Sequence, residues 1–133
     1  MTITIDKQQA IDLLNKAVKI NGEDYIYPGA KTISCYYAKD GAPSCIVGYA
    51  ISNLSADLFS KLAAYENNEG PSEMGEMYKS FLKGEGVEMT DEALAIWKAA
   101  QTEQDMGARW GSAVSFAIEY PQYPEPEDHD YYY

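Results

Sequence analysis

The sequence predicts a predominantly α-helical α+β fold, a compact bundle of five to six helices with a short β-hairpin near residues 25–39. Apolar residues recur at three- and four-residue intervals through most of the chain, as amphipathic helices require. Capping residues and Gly or Pro punctuate these segments. Residues 31–38 are rich in β-branched and aromatic side chains, which favours a strand there. At 133 residues the chain fits one domain.

The helical segments share this apolar spacing and are predicted at residues 6–21, 45–54, 56–65, 72–83, 91–106 and 108–119. Ser44 and Thr90 are the expected N-caps of the second and fifth helices. Gly48 would permit close packing of the second helix, and residues 66–71 are expected to form a loop. Gly107 suits a left-handed turn between the last two helices. We expect Ile118 to be buried in the final one.

Residues 31–38 are predicted to form a strand, with residues 25–27 as its partner and a turn at residues 39–41. Cys35 and Cys45 bracket this turn. They could pair in an oxidising compartment, whereas a reducing cytosol favours two buried thiols. Because nothing in the sequence indicates secretion, the thiol interpretation is preferred.

Residues 1–120 are predicted to form the globular domain, and residues 121–133 an acidic, Pro/Tyr-rich flexible tail. Three prolines in six residues favour an extended conformation and exclude a helix. The tail is either a solvated terminus or a docking peptide, in which Tyr123 and Tyr131 would supply contact area.

The net charge of −11 lies entirely in the second half of the chain. Residues 62–133 contain fifteen acidic and four basic residues, whereas residues 1–61 are balanced. Direct nucleic-acid binding is disfavoured, because phosphate contacts need a basic surface. The acids serve either for solubility or for attracting a partner with a basic surface.

The sequence contains no recognisable catalytic or metal-binding motif. The one histidine, His129, lies in the tail, so a Cys–His pair is not expected. Two cysteines and one histidine do not supply the usual zinc ligands, and the Glu73/Glu76 pair reads as a solvated helix face. We therefore expect a non-enzymatic protein without catalytic residues, metal or cofactor. No membrane span or signal peptide is expected, which favours the cytoplasm.

Polar side chains are concentrated where the last two predicted helices meet. Gln101, Gln104 and Asp105 share one helix face, and Arg109, the only arginine, is the expected partner of Asp105 across Gly107. With Trp110 as a floor, these residues could form a binding pocket for a polar ligand or a peptide. Alternatively, they cap the helix ends that Gly107 exposes, which is the preferred interpretation.

Two segments resemble patterns in small uncharacterised proteins of tailed phages of actinobacteria and related bacteria. They are Cys35-Tyr-Tyr-Ala-Lys-Asp-Gly-Ala-Pro-Ser-Cys-Ile-Val-Gly48 and Ala100-Gln-Thr-Glu-Gln-Asp-Met-Gly-Ala-Arg-Trp110. The resemblance covers about half the chain and excludes the tail. It implies a phage accessory protein acting in the host cytoplasm, and it implies no particular activity.

The leading hypothesis is a binding protein that engages a host cytoplasmic protein through its acidic half. Mimicry of nucleic acid is a special case, which would require carboxylates spaced like phosphates. The alternative is a small-molecule-binding or sequestering protein with a polar pocket around Gln101–Trp110. A homodimer or larger homo-oligomer is a third hypothesis.

Overall fold

The computed structural model describes residues 2–28 and 36–123. These ranges contain six α-helices, and the predicted helical α+β class is confirmed. The helices are α1 (Lys7–Asn21), α2 (Ile46–Leu54), α3 (Ala56–Glu69), α4 (Met74–Met77), α5 (Asp91–Asp105) and α6 (Trp110–Glu119). α4 continues into a π-helical turn (Tyr78–Leu82) and a 3-10 turn (Lys83–Glu85). None of the helices in the described ranges is long and apolar enough to cross a bilayer.

α1 and α5 form the centre of the bundle. Asp6 caps α1 in a reciprocal capping box with Gln9, and Thr90 caps α5 as predicted by accepting from the backbone N–H of Ala93. The fully buried Trp97 of α5 donates its indole N–H to the carbonyl of Ala10, 3.1 Å away on α1. That bond pairs the indole and joins the two helices.

A pair of parallel strands, β1 (Ile3–Ile5) and β4 (Val87–Met89), was not predicted. Each strand has only three residues, too few for an alternating pattern to be recognised, and the partners are far apart in sequence. The backbone N–H of Thr90 donates to the carbonyl of Ile5 at 3.1 Å. Because β1 leads into α1 and β4 into α5, the pair places the two helix starts side by side.

The hairpin consists of antiparallel strands β2 (Ala38–Lys39) and β3 (Ala42–Pro43). The predicted turn is present: Asp40 and Gly41 both have positive φ, 53° and 80°, as in a type I′ turn. The strand partner is therefore residues 42–43 and not 25–27, because a two-residue turn pairs the residues immediately flanking it. Residues 31–35 of the predicted strand lie outside the described residues.

α3 continues through Glu69, so the loop predicted to begin at residue 66 starts later. Glu66 is buried, and its carboxylate accepts hydrogen bonds from the backbone N–H groups of Tyr37 (2.9 Å) and Ala38 (3.0 Å). These bonds attach the hairpin to α3. The two-residue strand offers no backbone partner to the N–H groups of Tyr37 and Ala38. The last turn of α3 supplies one, the Glu66 carboxylate, which explains why the helix extends past residue 65.

Ile118 was expected in the core but is 38% exposed. Trp110, Val114 and Ala117 do face the core, as predicted. Ile118 is one residue past Ala117 and so turns about 100° away from that face.

Candidate functional site

The junction between α5 and α6 is built mainly by backbone hydrogen bonds. Gly107 adopts the predicted left-handed conformation, with φ of 97°, and its N–H donates to the carbonyl of Gln104. At the start of α6, the N–H groups of Trp110 and Gly111 donate to the carbonyls of Tyr25 (2.8 Å) and Glu23 (2.9 Å). The turn at residues 23–25 therefore caps α6, a role that the sequence had assigned to side chains.

Gln104 caps a different helix from the one expected. Its side chain is fully buried, and Oε1 accepts a 2.7 Å hydrogen bond from the N–H of Ile46, the first residue of α2. Nε2 donates to Oδ1 of Asp105 at 3.0 Å. The carboxamide thus acts as a long-range N-cap, 58 residues away in sequence, and its oxygen is occupied.

The prediction that Ser44 caps α2 is wrong. The N-cap position is Cys45, whose side chain makes no capping hydrogen bond. Ser44 instead donates its hydroxyl proton to the phenol oxygen of Tyr27 at 3.1 Å. Because the Gln104 side chain already accepts from the first backbone N–H of the helix, the Ser44 hydroxyl is not needed as a cap and bonds the neighbouring tyrosine.

Gln101 lies one turn earlier on α5 and is also buried, beside Cys45. Cys45 is a free, fully buried thiol, and burial raises its pKa to about 12, partly offset by hydrogen bonds from Gly48 and from the Gln101 side chain. The thiol is therefore neutral and unreactive at physiological pH, as expected for Cys45. Cys35 lies outside the described residues. Among the described residues, Oε1 of Gln101 has no hydrogen-bond partner.

The predicted Asp105–Arg109 pair is absent from the described structure. Arg109 faces Asp24, with 3.8 Å between Nε and Oδ1, and both side chains are largely exposed. The carboxylate of Asp105 instead accepts a hydrogen bond from the side-chain amide of Gln104. The docking of Trp110 and Gly111 on the 23–25 turn directs Arg109 toward that turn. An exposed pair of this length contributes little to stability.

Trp110 is fully buried beneath two tyrosines. The rings of Tyr25 and Tyr49 meet it edge-on, with centroid distances of 4.7 Å and 5.5 Å. Its indole N–H has no hydrogen-bond partner in the described structure. Trp110 therefore supports the aromatic side chains above it and has no direct access to solvent.

The tyrosines over Trp110 belong to a cleft that the sequence did not indicate. The cleft has a volume of about 1040 Å³, and among the described residues its aromatic lining consists of Tyr25, Tyr27, Tyr36 and Tyr49. These residues come from three separate segments, so only their proximity in the fold reveals them. The one sequence signal is the high tyrosine content, twelve residues in 133.

Tyr123, predicted as a partner-binding residue, is 52% exposed. It follows Gln122, whose backbone N–H donates to the carbonyl of Ala95 at 2.9 Å and whose side chain bonds Thr102. The described beginning of the tail is thus held along α5. Tyr131 and His129 lie outside the described residues.

Carboxylates do not converge on a metal site within the described residues, where no group of three or more candidate ligands was found. Glu73 instead caps the short helix α4 by accepting from the N–H of Glu76, and Glu76 bonds Ser80. Comparisons of the chain with protein-family models, with curated proteins and with solved structures gave no match.

Proposed function

We propose that this chain is a non-enzymatic binding protein that engages a basic surface of another protein. The proposal rests on the observation that few acidic side chains in the described part of the second half form ion pairs with basic side chains of the same chain. Residues 62–123 contain eleven acidic residues, and among the described residues only Glu85 of these forms an ion pair, at 3.5 Å from Lys61. Unpaired surface charge of one sign attracts and orients an oppositely charged partner.

Among the acidic residues of the described part of the second half, the closest spacing in sequence is at the start of α5. Glu88, Asp91 and Glu92 are all exposed, and the last two lie in the first turn of the helix. The positive end of the helix dipole stabilises carboxylates there, so the helix tolerates this local repulsion. Glu85 is exposed nearby in sequence. This acidic edge is the proposed centre of the contact surface, with the exposed Tyr123 as an aromatic contact.

The resemblance to small uncharacterised proteins of tailed phages supports the proposal that the partner is in a host cytoplasm. Within that proposal the partner is a host protein, and nucleic acid is not bound directly because the surface carries the wrong charge. The small-molecule alternative around Gln101–Trp110 has less support. Gln101, Gln104 and Trp110 are buried, and the Gln104 amide is already engaged with Ile46 and Asp105.

Affinity capture from host lysate tests the proposal with matched variants. The test variant carries Glu88→Gln, Asp91→Asn and Glu92→Gln. The control removes the same charge from the balanced half, through Asp12→Asn, Glu23→Gln and Asp24→Asn. We expect a basic protein that is retained at about 50 mM salt, weakened at about 300 mM, and lost with the test variant only. Equal retention by both variants would contradict the assignment of the acidic edge.

A further inference from the structure

We propose that the cleft of Tyr25, Tyr27, Tyr36 and Tyr49, the tyrosine cleft, binds an extended, proline-containing peptide segment of a partner protein that also carries basic residues. This inference rests on the proposed binding function and adds a second contact site, apart from the acidic edge, together with the chemistry of its occupant. Four features support it: the fixed positions of three of the rings, the hydroxyl groups of Tyr25, Tyr36 and Tyr49, the size of the cleft and its charge.

The rings of Tyr25, Tyr27 and Tyr49 are held in place before any ligand arrives. Tyr25 and Tyr49 pack edge-on against the buried Trp110, and the Tyr27 hydroxyl accepts hydrogen bonds from Ser44 and from the backbone N–H of Tyr36. Tyr36 itself is 40% exposed. Rigid tyrosines provide large contact areas at a small cost in side-chain entropy, which favours recognition by a preformed surface.

Three hydroxyl groups in the cleft are available to a ligand. The phenols of Tyr25, Tyr36 and Tyr49 make no hydrogen bond within the part of the chain that the structure describes. Burial and the neighbouring phenols of Tyr49 and Tyr27 raise the pKa of Tyr25, so the Tyr25 hydroxyl is a protonated donor at neutral pH. A polyproline-type segment has no internal hydrogen bonds, so its carbonyl oxygens can accept from such donors.

The dimensions favour a peptide over a small metabolite. The volume of about 1040 Å³ is at or above the upper end of ordinary small-molecule pockets, roughly 300–1,000 Å³. Adding a strand to the hairpin is a poor alternative, because β2 and β3 have two residues each and β3 ends in Pro43. Aromatic-lined grooves are a recurrent means of binding proline-rich segments.

The charge around the cleft favours a basic peptide. Asp40 and Glu66 line it together with Lys39, and the exposed Glu69 directly precedes the lining residue Gly70. The Glu66 carboxylate is buried and already accepts from the backbone N–H groups of Tyr37 and Ala38. The acids open to a ligand are therefore Asp40 and Glu69, and neither forms an ion pair among the described residues. With a net charge of −11 on the whole chain, lysine or arginine residues flanking the prolines would be attracted to the cleft.

Fluorescence anisotropy on the chain of 133 residues tests the inference with a labelled peptide of six prolines flanked by two lysines on each side. The comparison peptides replace the prolines by glycines or the lysines by glutamates. We expect saturable binding of the first peptide and at least about fivefold weaker binding of both others, since rigidity and charge each contribute. Equal affinity of the proline and glycine peptides would show that only the lysine charges contribute to binding, and would overturn the inference.

Variants locate the site. Tyr36→Ala should weaken binding by about tenfold, as for an aromatic interface anchor, and Tyr49→Phe by about threefold through the loss of one donor. Tyr120→Ala, which removes a similarly exposed tyrosine that is not among the cleft lining, should have no effect. Loss of binding with Tyr120→Ala, or unchanged binding with the two cleft variants, would place the peptide elsewhere.

The peptide of residues 121–133, added as a competitor, distinguishes the source of the occupant. We expect it to compete poorly because it is acidic. Tighter binding of this peptide than of the lysine-flanked one would identify the occupant as residues 121–133 of this chain and contradict the partner assignment. The two proposals can fail separately. The capture experiment tests the acidic edge of Glu88, Asp91 and Glu92, and it can succeed even when the peptide does not bind the tyrosine cleft.

Discussion

The hydrogen bond from Ile46 to Gln104 predicts that replacing this one glutamine destabilises two distant helices. Gln104→Leu keeps a side chain of similar size but removes the acceptor for a buried N–H. Loss of an N-cap costs about 1 kcal/mol, and a buried donor left without a partner costs about 1–3 kcal/mol. Because these two costs overlap, we expect a loss of about 2–3 kcal/mol in the free energy of unfolding.

Gln101→Leu is the matched control. The same substitution is made one turn earlier on the same helix, at a side chain that is also buried. Oε1 of Gln101 has no partner among the described residues, and its amide bonds only the weakly accepting thiol of Cys45. Removing an unpaired buried acceptor is close to neutral, so we expect a change of less than about 1 kcal/mol.

Urea unfolding monitored by circular dichroism measures both free energies, and thermal unfolding provides a second reading. For a chain of this length, 2–3 kcal/mol corresponds to a decrease of about 6–15 °C in Tm. The helix-capping role of Gln104 is refuted if Gln104→Leu is no more destabilising than Gln101→Leu. It is also refuted if Gln104→Leu is fully folded and loses only binding, since Gln104 would then be a ligand contact.

Two further predictions concern the attachment of the hairpin. A Cβ added to Gly48 would lie 2.0 Å from the carbonyl oxygen of Tyr37, so Gly48→Ala must displace backbone and should cost about 2 kcal/mol despite its better helix propensity. Gly84→Ala, whose Cβ meets nothing within 4 Å, should be neutral or slightly stabilising in the same urea titration. If Gly84→Ala lowers the free energy of unfolding and Gly48→Ala does not, the close contact assigned to Gly48 is wrong. The second concerns Glu66, whose pKa is raised by burial against the opposing effect of its hydrogen bonds from Tyr37 and Ala38. Since the folded state then holds the proton more tightly than the unfolded chain, the contribution of this group to stability falls as pH rises from about 4.5 through its raised pKa. The Tm of the wild type relative to Glu66→Gln should therefore decline across that interval, and a constant difference would contradict the shift.

The helices were largely predictable because their signals are local. Asp6 and Thr90 begin α1 and α5 at the expected positions, and Gly107 separates α5 from α6 with the expected backbone conformation. The turn at Asp40-Gly41 was likewise readable, because positive φ at both positions favours these residues. In each case the controlling interactions lie within a few residues of one another.

The candidate sites depended on contacts that no local pattern records. Gln104 was selected as a polar residue of interest, but its partner, Ile46, comes from another helix. The tyrosine cleft draws on three segments that meet only in the folded chain, where Trp110 packs against Tyr25 and Tyr49. A glutamine can cap a helix, line a pocket or face solvent with equal local propensity.

The sequence by itself determined the helical class, most helix starts, the sharp turns and the concentration of negative charge in the second half. These follow from periodicity, capping chemistry and composition, which act over short distances or need no structure. Only the tertiary structure decided the pairing of β1 with β4, the capping of α2 by Gln104 and the gathering of the tyrosines. Buried polar groups must find partners wherever packing places them, and that requirement is satisfied across the whole fold.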